Sequence, residues 1–251
     1  MAMAVTGVIA LALGSLASAV HSSNEYVQNQ ATVTQHARVV LERIKRHVET
    51  AHASREFPGF LIVPTTSGSY TFPDTLAVWQ PLGEPVDAEG LPRVSELIVY
   101  TPNPASPNEL WEITDRSNHA VVPSLGSTSA WRTMIASLAA SNTASVVELT
   151  DLVRRSKVNA SDTRPRSTIR FEGQQSPSDV QLAAYEAGTA DWEDMGWPQS
   201  LYGNRAGLRQ SWCRIELQLM PPGRRAADGR DSADIATPFF SSAALYYDVE
   251  P

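Results

Sequence analysis

The sequence predicts an α+β fold in which one long N-terminal helix packs on a globular body with an antiparallel sheet. Three observations lead to this prediction. The first 20 residues are mostly apolar and carry no charged side chain. The next 30 residues place apolar side chains at steps of three and four, the spacing of a helix with one buried face. The rest contains short alternating segments between turn residues, a pattern that favours antiparallel strands over βαβ units.

The composition narrows the functional class. The chain has 251 residues, which suits one medium domain with an additional element. Its formal net charge of −7 argues against general nucleic-acid binding, which usually needs a basic surface. Cys213 is the only cysteine, so no disulfide within the chain and no cysteine-based zinc site is expected.

The uncharged run Met1–Val20 has three interpretations. Twenty helical residues rise about 30 Å, the thickness of the hydrocarbon layer of a bilayer, so one interpretation is a transmembrane anchor. A second is a cleaved signal peptide, because Ala17-Ser18-Ala19 is typical of a cleavage site, although no basic residue precedes the run. In the third interpretation the run is the first part of a longer helix.

The following segment favours the longer helix. No proline or glycine occurs from Tyr26 to Ala53, and the apolar residues of this segment share one helical face. The helix is expected to end near Ser54, before Pro58-Gly59. We therefore predict an anchor and assembly helix in residues 1–55 and a globular extracytoplasmic domain in residues 56–251. The residues of the apolar face are Val33, Ala37, Val40, Leu41, Ile44, Val48 and Ala51.

This N-terminal segment resembles a known family. The stretch AMAVTGVIALALGSLASAV, followed by ARVVLERIKRHVETA, is similar to the N-terminal helix of type IV pilin-like proteins and type II secretion pseudopilins. The part VVLERIKRHVETA is similar to that helix in minor pseudopilins of the J type. In the family a basic leader ending in Gly and a Phe-Thr-Leu-x-Glu stretch precede the apolar run. Both are missing here, so we expect that the N-terminus is truncated.

The resemblance, which covers about the first 55 residues, implies a pilin-like fold and a structural role without catalysis. It implies a subunit of a membrane-anchored filament, in a type II secretion or type IV pilus-like system. Its partners would be the membrane and other pilin-like subunits, which it would contact through the N-terminal helix. The expected location is the cytoplasmic membrane, crossed once, with the body in the periplasm or outside the cell. No nucleic acid, small-molecule substrate or cofactor is expected.

An alternative function stays open at this point. The N-terminal run would then only tether or export an extracytoplasmic binding protein or hydrolase. The amphipathic segment after the run argues against this alternative, because a simple tether is usually followed by a linker. The large body with long loops favours a minor over a major filament subunit, and the sequence does not distinguish between secretion and pilus systems.

In the body, the sequence predicts mainly strands. The predicted strands are Phe60–Val63, SYTF, TLAVWQPL, the hairpin of Leu97–Tyr100 with Leu110–Thr114, Thr168–Phe171, Ser211–Met220 and FFSSAALYYDV. One helix is predicted to start at Ser127 or Ser129, with Trp131, Ile135 and Leu138 on one face. A second helix is predicted in ASVVELTDLVRRSKV. Loops are predicted for most of residues 159–179 and for residues 188–207 and 223–238.

No catalytic signature is present. The sequence contains no G-x-S-x-G, H-E-x-x-H or P-loop motif. Four histidines lie on the predicted helix without the i,i+3 or i,i+4 spacing of helical metal ligands, so we predict solvated positions for them. These are His21, His36, His47 and His52, and a fifth histidine, His119, is expected in a turn. Cys213 shares a strand face with Ser211 and Ile215, which predicts a packed, inert thiol.

Two loops are weak candidates for binding. Asp228, Asp231 and Asp234 recur at every third position, which suits the oxygen ligands of calcium, but the spacing is not that of an EF-hand and Arg230 intervenes. An ordinary solvated loop is the favoured interpretation. In the second loop, the acidic residues Asp191, Glu193 and Asp194 are a second, weaker candidate for calcium. The aromatic residues of this loop form either a contact surface or, as favoured, plugs at the edge of the core. They are Trp192, Trp197 and Tyr202. No catalytic, cofactor or metal residue is therefore assigned.

Overall fold

A computed structural model describes residues 2–158, 164–195, 207–224, 226 and 230–249. Within these ranges the chain is a mixed α+β protein with antiparallel sheets, as the sequence predicts. The helices are α1 (Ala2–Glu49), α2 (Thr128–Ala139) and α3 (Asp179–Glu186), and short 3-10 helices span Val94–Glu96 and Trp192–Asp194. The strands are β1 (Phe60–Ser67), β2 (Tyr70–Trp79), β3 (Leu97–Pro102), β4 (Leu110–Thr114), β5 (Ser145–Thr150), β6 (Arg155–Ser156), β7 (Arg166–Ser167), β8 (Ile169–Ser176), β9 (Leu208–Leu219) and β10 (Thr237–Asp248).

α1 is one continuous helix of 48 residues, about 72 Å long at a rise of 1.5 Å per residue. It passes through the polar patch His21–Asn24 without a break, which confirms the predicted continuity. The helix ends at Glu49, a few residues before the predicted end near Ser54. Arg46 lies in the last turn, where a positive charge is favourable beside the carboxyl end of a helix.

The prediction of a protein that crosses the cytoplasmic membrane once, with its body in the periplasm or outside the cell, is wrong. In the part of the chain that the structure describes, no helix has the length and apolar character needed to span a bilayer. A span needs about 20 consecutive, mainly apolar residues. Along α1 the apolar side chains give way to the polar patch His21–Asn24 and then to Glu25 and further polar residues.

The main core lies between α1 and two antiparallel sheets. A five-stranded sheet has the order β1-β2-β3-β4-β5, and a three-stranded sheet has the order β10-β9-β8. α2 packs on the other face of the five-stranded sheet and buries Trp131, Ile135 and Leu138 there, as predicted. Because successive strand residues point to opposite faces, Tyr100 of β3 faces the α1 core and Val99 faces the α2 core.

β2 is one strand where the sequence analysis predicts two. Its register with β1 shifts between Val63 and Thr65, so Pro64 lies at a bulge. The opposing residues Pro73 and Asp74 lie in the same irregular stretch, between the pairs Thr65–Phe72 and Val63–Thr75. A proline is tolerated at a bulge because no ladder hydrogen bond is required from its nitrogen. The strand therefore continues through a proline that the sequence suggests as a break.

The helix predicted in residues 144–158 is wrong, because this segment forms β5 and β6. β5 pairs with β4 and extends the five-stranded sheet by one strand. The apolar spacing of the segment fits a helix, but the β-branched Val146 and Val147 also suit a strand, and the edge of β4 supplies the hydrogen bonds. Tertiary pairing therefore overrides the local pattern.

α3 is not among the helices that the sequence predicts, and β8 is longer than the strand predicted there. β8 runs from Ile169 to Ser176, well beyond the predicted strand Thr168–Phe171. α3 begins with a capping box, in which the Ser178 hydroxyl accepts from the Gln181 amide N–H and the Gln181 side chain accepts from the Ser178 amide N–H. The Ser-x-x-Gln spacing is a known helix-start signal and could have identified this helix.

Replacing Ile44 with alanine should lower the free energy of unfolding by about 2–5 kcal/mol, because Ile44 is fully buried and the change leaves a cavity in the main core. Val39, on the same helix, is 64% exposed, so Val39→Ala should change stability by no more than about 0.5 kcal/mol. Urea denaturation of both variants measures the difference. Equal losses would show that α1 does not dock through the Ile44 face.

Candidate assembly helix and its contacts

α1 consists of two parts with different surroundings. Every side chain from Ala10 to Gln28 is exposed, and we call this part the free segment. From residue 29 to residue 49 one face is covered by the body, and we call this part the docked segment. The apolar face predicted for the docked segment is confirmed, since Val33, Val40, Ile44 and their neighbours on that face are buried.

The free segment carries large apolar side chains in contact with solvent. Leu11 is 77% exposed, Leu13 60% and Tyr26 70%, and Leu16, Val20 and Val27 are also exposed. Six large apolar side chains exposed on one short segment are unusual on a soluble monomer and mark a site of interaction with another molecule. The free segment is therefore the first candidate for a functional surface.

The docked segment is held by polar contacts as well as by its apolar face. The Arg43 guanidinium donates to both carboxylate oxygens of Glu112 on β4, at 2.5 Å and 2.8 Å. The Tyr100 hydroxyl donates to Glu112 Oε2 at 3.2 Å, and His47 Nδ1 is bonded to the Tyr100 oxygen. We call these four residues the clamp. They join α1 to β3 and β4, two neighbouring interior strands of the five-stranded sheet.

Burial and charge set the protonation states in the clamp. Burial works against a charged Glu112, but the hydrogen bonds and the positive charge of Arg43 outweigh it, so the pKa of Glu112 lies below its ordinary value. Burial raises the pKa of Tyr100 and lowers that of His47, which favours the neutral form of both. Because the single hydroxyl proton of Tyr100 goes to Glu112, the Tyr100 oxygen accepts from an Nδ1–H of His47.

Three of the histidines predicted to be solvated instead contact the body. Besides His47, His36 Nδ1 lies 3.1 Å from the Thr150 hydroxyl, and His52 Nε2 donates to the Ala88 carbonyl at 3.0 Å. The prediction is wrong for His36 and His47 because they lie beside the buried face of α1, where the body reaches the flank of the helix. It is wrong for His52 because this residue lies beyond the end of α1, where its ring reaches the loop at Ala88.

Of the other two histidines, His21 has the solvated position that the sequence predicts, whereas His119 lies just after a turn and not within it. His21 is exposed on the free segment and lies 3.5 Å from Glu25. His119 is exposed close to a turn, with the Ser95 hydroxyl 3.3 Å from its ring.

Asp231 is not in a solvated loop, contrary to the favoured prediction. Its carboxylate is buried and accepts from the Arg155 side chain at 3.1 Å and 3.2 Å, and from the amide N–H groups of Arg155 and Ala226 at 2.9 Å and 3.0 Å. Burial opposes its charge, but these bonds hold its pKa below the ordinary value. Asp234 is exposed, and Asp228 lies outside the described residues. The Arg155 guanidinium thus binds both carboxylate oxygens of Asp231, in the place that a calcium ion would need.

Of the second candidate loop, the structure describes only some of the residues singled out in the sequence. Trp192 is buried, with its ring 5.2 Å from that of Tyr185, which confirms the core-plug interpretation for this residue. Trp197 and Tyr202 lie outside the described residues. Asp191, Glu193 and Asp194 are exposed, and no group of three or more potential metal ligands occurs among the side chains that the structure describes.

Cys213 is buried on the inner face of β9, together with Ser211 and Ile215, as predicted. Burial raises its pKa to about 12. The thiolate, which is the nucleophilic form, is therefore strongly disfavoured, and the thiol acts as an apolar core group.

Comparison of the chain with protein-family models, with curated proteins and with solved structures gave no match. The features of the molecule that bear on function are the exposed apolar free segment, the buried face of the docked segment and the clamp.

Replacing Glu112 with glutamine should cost about 1–3 kcal/mol of stability at neutral pH, because Arg43 and Tyr100 lose a charged, buried acceptor. Because folding lowers the pKa of Glu112, its carboxylate stabilises the folded protein fully above the unfolded-state pKa of 4.5. This stabilisation is lost as the pH falls through the lower, folded-state pKa. Urea denaturation at neutral and acidic pH should therefore show a flatter pH dependence in the variant. Glu49→Gln, at an exposed site on the same helix, should keep the wild-type dependence.

Replacing Asp231 with asparagine should lower the free energy of unfolding by about 3–5 kcal/mol, because the change leaves the largely buried Arg155 guanidinium without its counter-charge. The exposed Asp234→Asn variant should stay within about 0.5 kcal/mol of wild type. Thermal denaturation with calcium and with a chelator should give one melting temperature for the wild type. A rise in that temperature with calcium would contradict the assignment of Arg155 as the cation.

Proposed function

We propose that the chain is a structural subunit of a filament, of the pilin or pseudopilin type, and that α1 is its assembly element. One observation carries this proposal: the free segment is a continuous helix with large apolar side chains exposed to solvent, although the same helix is firmly docked further along. A helix in this state buries its apolar surface when it packs against other helices, and this burial favours association.

The arrangement of the body supports the same proposal. A long N-terminal helix that lays its second half on an antiparallel sheet is the architecture expected from the resemblance of Met1–Val20 and the docked segment. The clamp fixes the rotation of α1 on the body, so the exposed side chains of the free segment have one orientation relative to it. A defined orientation is what a repeating assembly needs. The role is structural, and the partners are other subunits of the same kind.

The proposal predicts that the full chain associates through the free segment. Leu13→Glu and Leu16→Glu should each reduce self-association at least about tenfold, because each places a charge where apolar side chains pack, and a tenfold change corresponds to only about 1.4 kcal/mol. Sedimentation velocity and negative-stain electron microscopy measure the size and regularity of the assemblies.

The matched control is Val180→Glu, a change of the same kind at an 80% exposed position on α3. This variant should assemble like the wild type. A wild-type chain that remains monomeric at high concentration, or Leu13 and Leu16 variants that assemble normally, would refute the proposed function.

A further inference from the structure

A second exposed apolar surface lies on the body, in the loop of residues 82–90, which we call the acidic loop. Leu82 is 82% exposed and Val86 is 59% exposed. The loop also carries Glu84, Asp87 and Glu89 and contains no basic residue. All three of these acidic side chains are exposed. The surface is therefore both apolar and negatively charged.

Hydrogen bonds from the rest of the fold hold this loop in one shape. The buried Glu96 carboxylate accepts from the Val86 amide N–H at 2.7 Å and from the Arg93 amide N–H at 2.8 Å. The Ser54 hydroxyl donates to the Gly90 carbonyl at 3.0 Å, and His52 donates to the Ala88 carbonyl. A loop that is held rigidly while it exposes large apolar side chains loses little entropy when it binds a partner.

The outward face of the docked segment has the complementary character. Val39 is 64% exposed there, with Arg38 beside it and Arg46 two turns further along the same face. Glu42, which is also exposed, lies between the two arginines. Both arginine side chains are exposed. Around Val39, two arginines and one glutamate give α1 a net positive charge, whereas the acidic loop carries three carboxylates around Leu82 and Val86. Opposite charges across a contact steer association and fix its register.

We propose that the acidic loop of one copy docks on the outward face of the docked segment of a second copy, with Leu82 and Val86 against Val39. The two surfaces differ and lie apart on one molecule, because the loop is bonded at His52, beyond the end of α1, whereas Val39 lies ten residues before that end, about 15 Å along the helix. A heterologous contact of this kind, repeated from copy to copy, gives a ring or an open filament.

This inference rests on the proposed function only in taking a second copy as the partner. It adds a contact between bodies to the packing of the free segments. It also explains why charge and apolar exposure coincide on the acidic loop, where a purely solvated loop needs no large apolar side chains. Because the contact is partly ionic, added salt should weaken it.

Charge reversal tests the contact. A loop variant carries Glu84→Arg and Glu89→Arg, and a helix variant carries Arg38→Glu and Arg46→Glu. Each variant alone brings like charges together and should lower self-association at least about tenfold in sedimentation velocity. A mixture of the two variants, and a chain that carries all four changes, should both regain association, because opposite charges then face each other again. Glu193→Arg with Asp194→Arg, the same change in charge at another exposed loop, should have no effect.

The outcomes separate this inference from the proposed function. If Leu13→Glu abolishes assembly but both charge variants assemble normally, the loop contact is refuted and the filament role stands. If the loop variant is defective and neither the mixture nor the fourfold variant restores assembly, the acidic loop does not bind the helix face and the inference is refuted. If the wild type does not associate at all, both proposals are refuted. Circular dichroism of each variant shows that it is folded.

Discussion

The structure depends on the burial of one apolar face of α1 against two sheets. Val33, Val40, Ile44 and Val48 are fully buried there, together with side chains from β3, β9 and β10. Each such side chain contributes about 1.5–3 kcal/mol on burial, whereas the net stability of a domain is only about 5–15 kcal/mol. The docked segment is therefore part of the body, and the main core is incomplete without it.

This constraint links the core to the exposed part of the same helix. An α-helix transmits orientation along its axis, so the free segment points in the direction that the docked segment sets. The clamp adds rotational definition, because a shift of one residue along α1 turns each side chain by about 100° and would remove Arg43 from Glu112. The stability of the body and the orientation of the free segment thus depend on one set of contacts, and a change in the clamp affects both.

The sequence predicts well wherever local periodicity decides. The buried face of α1, the buried side chains of α2 and the alternation of β9 around Cys213 all follow from spacings of three to four or of two. The prediction fails where the same residues suit two structures. Residues 145–150 have the apolar spacing of a helix but pair with β4, and the apolar run at the start of α1 suggests a bilayer span that the described structure does not contain. The missed α3 is different, since its capping box was present in the sequence.

The long helix, its one-sided apolar face and the α+β class can be read from local sequence patterns, because they depend on neighbours within one or two turns of the same element. The polar contacts, in contrast, form only when distant segments fold together. Arg43 and Glu112 are 69 residues apart, and Arg155 and Asp231 are 76 residues apart. No local pattern shows that such groups will meet, since their pairing depends on how strands and loops are placed around the core. For the same reason the sequence predicts solvated positions for His47 and Asp231. Only the folded structure shows that Leu82 and Val86 of the acidic loop are left exposed.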